Sequence, residues 1–294
     1  MLVFALLFGS DARAQASVPV EGGGSWTTAY QNITVHDHTD YRGVRNSLGK
    51  THSHVLFVGV DYGLTDTVAL TAGVPYIKGK YMGDFPHLHT GFPDHHDDPV
   101  IDDGKYHGGL QDYNLGLRKQ LMTEPVLVTP FVSLGYPSRA YPFRGHSAIG
   151  TRLWHVELGS AVASQFGPEL DDFYVQARYG YSIRQKARGI GIRSSKLDLE
   201  LGYAFTPRLS ARLLGVWLKT HNGLNVPVDF PPPPDPLGYE HDRVLNTDSV
   251  NLGAGVAFAV NRDYSVFGTW FSTVQSKNAH AIHNAFAVGI SRSF

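Results

Sequence analysis

Two groups of side chains in this 294-residue sequence could do chemistry, and histidine leads both. Between Asp84 and Asp103 the chain runs Asp84-Phe85-Pro86-His87-Leu88-His89-Thr90-Gly91-Phe92-Pro93-Asp94-His95-His96-Asp97-Asp98-Pro99, with Asp102, Asp103 and His107 following. Imidazole suits zinc, copper and nickel, and carboxylates can complete such a site. His87, His89, His95, His96, Asp97 and Asp98 are therefore candidate ligands of a loop-bound divalent metal. Their spacing matches no established ligand motif, so a solvated acidic loop without an ion is the competing reading, as is loose capture of cations that bridge lipopolysaccharide. The second group is His52-Ser53-His54 and His146-Ser147, where hydroxyl and imidazole are neighbours in sequence. Neighbours on a strand point to opposite faces, so neither makes a nucleophile and base pair by itself; the partners would have to come from different strands.

Composition narrows the chemistry further. The chain has no cysteine, which removes disulfides, thiolate catalysis and thiolate metal centres. A net charge of -1 gives no electrostatic case for nucleic-acid binding. No cofactor is expected apart from that loop metal.

These groups must be carried by strands. With 32 Gly, 17 Pro, 15 Tyr and 16 Phe, the composition favours strands and turns. Apolar residues recur at alternate positions: Leu197, Leu199, Leu201, Tyr203 and Phe205 form one row while Lys196, Asp198, Glu200, Gly202 and Ala204 lie between them. Segments 53–64, 173–184 and 248–260 alternate in the same way, with one face greasy and the other polar or small.

Connection lengths choose between a soluble sandwich and a membrane barrel. Strands are expected near 25–36, 53–64, 67–77, 106–120, 126–136, 153–165, 173–184, 195–205, 209–219, 248–260, 264–275 and 284–294. Between them, long connections (37–52, 78–105, 137–152, 185–194, 220–247 and 276–283) alternate with turns of a few residues. Twelve antiparallel strands in that rhythm describe an all-β transmembrane up-and-down barrel of the outer membrane, with short periplasmic turns and long extracellular loops. Three tight hairpins repeat one pattern, at Tyr62 to Ala69, Tyr203 to Ser210 and Phe258 to Ser265: an aromatic and an apolar residue precede a polar turn. Tyr76, Tyr136 and Trp217 are candidates for an aromatic girdle at the opposite interface. Pro231 to Pro234 stiffen the 220–247 loop, which either folds over the mouth or projects.

On this topology Glu157, Arg178, Arg184, Asp198, Glu200 and Arg212 fall on the inward faces of four consecutive strands and form a lumen ladder of alternating sign. Such a ladder either pairs with itself or lines a small polar pore. Asp61, Asp112 and Arg118 are also inward, so the lumen has no overwhelming sign.

The two ends carry addresses. An apolar run from Leu2 to Phe8 and small residues at Ala12, Ala14 and Ala16 read as a signal peptide over 1–16, leaving 17–294 as the barrel domain, with 17–24 as a short periplasmic tail. The chain ends Phe286-Ala287-Val288-Gly289-Ile290-Ser291-Arg292-Ser293-Phe294, which resembles the terminal strand that outer-membrane barrels present to the barrel-assembly machinery.

At Val60-Asp61-Tyr62-Gly63-Leu64-Thr65-Asp66, Gly73-Val74-Pro75-Tyr76, Gly108-Gly109-Leu110-Gln111-Asp112 and Leu115-Gly116-Leu117-Arg118 the sequence resembles the meta-pathway of phenol degradation (MetA-pathway) family of outer-membrane transporter-like proteins. The resemblance implies a barrel that passes small hydrophobic or aromatic solutes and brings no catalytic or binding residue. Three functional expectations follow: passive solute passage; a non-transporting surface barrel whose His/Asp-rich loops bind metal or an external partner; and, for the Ser and His neighbours, a lipid-modifying enzyme. The expected partners are outer-membrane lipid, lipopolysaccharide, the assembly machinery through Phe294, and small solutes.

Overall fold

The computed structural model describes residues 16–47, 49–83, 99–167, 172–227 and 240–294. Twelve antiparallel strands follow in chain order: β1 (Gly24–Thr39), β2 (Lys50–Thr65), β3 (Val68–Met82), β4 in two pieces (His107–Leu110 and Asp112–Lys119), β5 (Leu127–Pro137), β6 (His155–Gln165), β7 (Phe173–Arg184), β8 (Arg193–Thr206), β9 (Leu209–Thr220), β10 (Asp248–Ala259), β11 (Tyr264–Lys277) and β12 (Ala279–Ser293). Each pairs with the next, and β12 pairs back onto β1 from Ser25 opposite Ser293 up to Thr39 opposite Ala279. The sheet is therefore a closed barrel with no free edge.

The alternating pattern becomes two faces of one wall. On β9, Leu213 is 62% exposed and its neighbour Leu214 only 3%. Outward rows such as Leu56, Val58 and Val60 on β2, Leu199 and Leu201 on β8, and Phe286 and Val288 on β12 form a continuous apolar exterior. A soluble protein does not leave so large an apolar belt to water, whereas a lipid-facing barrel requires it.

The repeated hairpins share a physical cause. Thr65 Oγ1 accepts the N–H groups of Thr67 and Val68, Thr206 Oγ1 those of Arg208 and Leu209, and Asn261 Oδ1 those of Asp263 and Tyr264. A short polar side chain at the first turn position thus mimics the missing backbone acceptor.

The other end departs from expectation at one connection. Residues 276–283 are not a long loop: β11 runs to Lys277 and β12 starts at Ala279, with only Asn278 between them, at a φ of 45°. The β11–β12 ladder itself stops at Phe271 opposite Ala285, above which the Ser272 and Thr273 hydroxyls bond to the β12 backbone at Ile282 and His283. In addition, the long connections fold inward. Tyr141 and Ile149 pack with Ile33, Val55, Ile77, Val216 and Ile282 of the inner wall. Leu153, Ala187 and Val244 form a second cluster with Ile190 and Leu224 beside it. Among the described residues, side chains of these connections pack inside the mouth.

The tight-turn end is also occupied. Ala16 packs with Leu127, Ala161 and Ala163, its amide bonds to Gln176 Oε1 at 3.2 Å and its carbonyl accepts from the Thr129 hydroxyl. Val18 bonds to Gln120, and Gly22 and Gly23 exchange backbone bonds with Gly63. Residues 16–19 turn into the barrel, while Val20 to Gly22 stay exposed at its rim.

Candidate functional site

The lumen wall brings together most of the expected ladder. Arg178 lies directly opposite Asp198 across the β7–β8 pair. Its guanidinium bonds to Glu157 on β6 and approaches Asp198 at 3.5 Å, while Lys196 Nζ reaches the same carboxylate at 3.0 Å. Glu157 can cross to Arg178 because Gly180 stands between them: a Cβ there would lie 2.6 Å from the Glu157 carboxyl carbon. Lower on the wall, Arg212 lies 3.6 Å from Glu200, and Glu200 Oε1 accepts the Tyr174 hydroxyl at 2.5 Å. The Tyr174 ring rests on Gly202, where any side chain would collide with it. Arg118 and Asp61 pair on the opposite side of the lumen. Aromatic rings lie against this wall too: Phe131 beneath the Arg178 guanidinium at 3.9 Å, Phe57 over Gly59 and Gly73.

Arg184 stands apart from the ladder. It sits near the mouth, opposite His155, and lines a cavity of about 80 Å³ with Asp242, Asn251, Asn278 and His280. The candidate loop ligands His87, His89, His95, His96, Asp97 and Asp98 lie outside the described residues.

The contacts seen at Ser147, His52 and His54 run to residues other than their sequence neighbours. Ser147 Oγ accepts the Tyr81 amide at 2.9 Å, His52 Nδ1 meets Thr34 Oγ1 at 3.2 Å, and His54 Nδ1 meets the Tyr30 hydroxyl at 2.7 Å. A pairing that the sequence could not display is Ser195 on β8 with His221 after β9: Oγ and Nε2 are 2.8 Å apart, and the Tyr179 hydroxyl is 2.8 Å from the same Oγ.

Two residues organise the mouth. Tyr141, fully buried, donates its hydroxyl to Asp112 Oδ1 at 2.5 Å and accepts the Arg152 amide at 2.9 Å. Burial first, and the Asp112 carboxylate second, push its phenol above the usual range, so it remains a donor. Asn278 takes its amide hydrogen to the Asp40 carbonyl and its side chain to Val226, Asn225 and Asn246, tying the long β9–β10 connection to the barrel rim.

A further cluster forms where two strands and two connections meet. His38 on β1 and His280 on β12 are directly paired, with rings 4.8 Å apart; His241, in the 3₁₀ turn His241–Arg243, lies 5.2 Å from His38; and His146 lies 4.8 Å from His280. Simple alternation puts His38 in phase with Tyr30 and His280 with Phe286, both lipid-facing. The register instead skips His36 on β1 and His283 on β12, and each extra residue flips the residues above it to the other face. The two bulged rings stack on one another at 4.4 Å.

No family model matches the chain, and no curated protein matches it. Solved structures do. An outer membrane channel from Pseudomonas putida F1 aligns with a TM-score of 0.69 at 15% identity, covering 95% of this chain and 97% of that one. The NanC porin aligns at 0.50 and 8% identity over 92% and 98% of the two chains. The translocator domain of the autotransporter NalP from Neisseria meningitidis aligns at 0.50 and 11% identity over 94% and 90%. The fold of this chain is that of an outer-membrane β-barrel.

Proposed function

We propose that the protein is a narrow, passive outer-membrane channel for small hydrophobic or aromatic solutes. The observation that carries this reading is the inner wall: Arg118, Arg178, Lys196 and Arg212 are matched by Asp61, Glu157, Asp198 and Glu200, so the lumen repels neither sign strongly. Rings at Phe57 and Phe131 supply apolar surface beside it. The Pseudomonas putida F1 structure is itself described as a channel, which favours passage over a sealed scaffold. The packed connections at one end and residues 17–19 at the other make transport depend on displacing both. Reconstitution in planar bilayers tests this: small, weakly selective conductance is expected, and a strictly closed barrel overturns it.

The exterior fits the remaining partners. The apolar belt suits lipid and lipopolysaccharide chains, and β12 offers Phe286 and Val288 to assembly factors, with Phe294 just after it and Arg292 folded over the Tyr264 ring. Removal of residues 1–16 as a signal peptide belongs to the same reading.

A second reading, a lipid-modifying enzyme, is favoured by Ser195 and His221, whose contact has the geometry of an activated hydroxyl. Phospholipid turnover that disappears in Ser195→Ala supports it; no turnover by the wild type retires it.

A further inference from the structure

We propose that His38, His241 and His280 form a binding site for a late first-row divalent cation, zinc, copper or nickel, at the mouth of the barrel. The ligating nitrogens of the three all lie within 4.8 Å of one another. In a tetrahedral zinc site with bonds of about 2.0–2.1 Å, neighbouring ligand atoms stand roughly 3.3 Å apart, so the three rings must close by about an ångström and a half at most. The His146 ring packs against those of His280 and His241, with centroids 4.8 and 5.5 Å away, and leaves the fourth position of the shell to water.

The arrangement has the parts of a metal site beyond its donors. Asp242 Oδ1 lies 2.9 Å from His280 Nε2 and 3.3 Å from His241 Nε2. The bond from Asp242 to Nε2 holds the His280 ring and fixes its tautomer, a role that carboxylates play beside metal-bound imidazoles. The donors, and His146 beside them, come from separate elements, each held in place: β1 and β12 by their ladder, the His241 turn by the bond from the Val244 amide to the His241 carbonyl, and His146 by its amide bond to Asp102 at 2.7 Å. His38 and His241 are buried, and a cavity of about 80 Å³ borders Asp242 and His280 beside them. Arg184 lines the same cavity, and Asp242 offsets its charge. The donor set is all nitrogen, which disfavours calcium and magnesium.

An ion held there ties the barrel wall to two inserted connections and so fixes the mouth in its packed form. This site is distinct in sequence from the His87 to Asp98 segment.

The test uses the full barrel in detergent, stripped with a chelator and titrated with Co²⁺ as the spectroscopic probe, then with Zn²⁺ as competitor, metal being counted by elemental analysis. One tetrahedral Co²⁺ per chain, displaced by Zn²⁺, is expected. The signal is lost in the H38A/H280A double variant and survives replacement of His87, His89, His95 and His96 by Ala. Asp242→Asn weakens binding by about 10- to 100-fold. His241→Ala, which leaves every strand intact, gives the same loss as the double variant and decides the matter should the latter fail to fold. No bound ion in the wild type, or an ion retained by His241→Ala, or one lost with the four loop histidines, overturns the proposal.

Discussion

His38 and His280 face one another across the seam that closes the barrel, their ring centroids 4.8 Å apart, because a bulge on each strand turns them inward together. The chain has no cysteine, so the relationship can be read directly: a His38→Cys/His280→Cys variant is expected to form a disulfide under mild oxidation. Moving one partner to Ala281 breaks the facing pair and abolishes the cross-link. Equal cross-linking at both positions would contradict the double bulge.

Arg178 is the hub of the lumen ladder, shared by Glu157 and Asp198. Arg178→Ala leaves two carboxylates facing each other with only Lys196 for compensation. The cost is about 1–3 kcal/mol, below the figure for a sealed core because the guanidinium is partly exposed to the lumen. Chemical unfolding from detergent gives that number, and reversal potentials in bilayers are expected to move toward cation preference. Unchanged selectivity would mean that solutes do not pass this wall.

Tyr174 is clamped between Glu200 and Gly202. Gly202→Ala forces the ring off the wall, at a cost of about 1–3 kcal/mol. The Gly202→Ala/Tyr174→Ala double variant is expected to recover part of that loss, since the colliding ring is gone. Additive losses would show that the contact is not the cause.

Tyr141 gives a prediction in pH. Its phenol is raised above the unfolded value, foremost by burial and then by Asp112. A group raised in this way holds its full stabilisation below its unfolded value, about 10, and loses it as pH climbs beyond. The stability gap between wild type and Tyr141→Phe, about 1–3 kcal/mol for a hydrogen bond to a buried carboxylate, is therefore flat from neutral pH to about 10 and shrinks above it. A gap that closes already in the acid range would assign the effect to another group.

The wall was legible in the sequence because a strand's faces are written at every second residue: Leu199 and Leu201 outward, Asp198 and Glu200 inward, with turn residues Thr65, Thr206 and Asn261 marking the hairpins. Register was not, because a bulge depends on the partner strand. Alternation carried past His36 and His283 sends His38 and His280 to the lipid, and it turns residues 276–283 into a loop that the structure replaces with Asn278 alone. The inward fold of the long connections rests on single buried anchors, Tyr141 and Asn278, whose partners Asp112 and Asp40 are far away in sequence. Of the ladder, the residues within reach of a neighbouring strand meet, and Arg184, six residues above Arg178 on the same strand, does not.

In the channel reading, small solutes cross this lumen once the mouth loosens and residues 17–19 yield at the other end. The direct test is flux of a small phenolic solute into proteoliposomes, measured for the wild type and for Asn278→Ala, which releases the β9–β10 connection from the rim. Slow but protein-dependent entry by the wild type, and faster entry by the variant, are the predicted results. Entry no faster than into protein-free vesicles for both proteins would contradict the account.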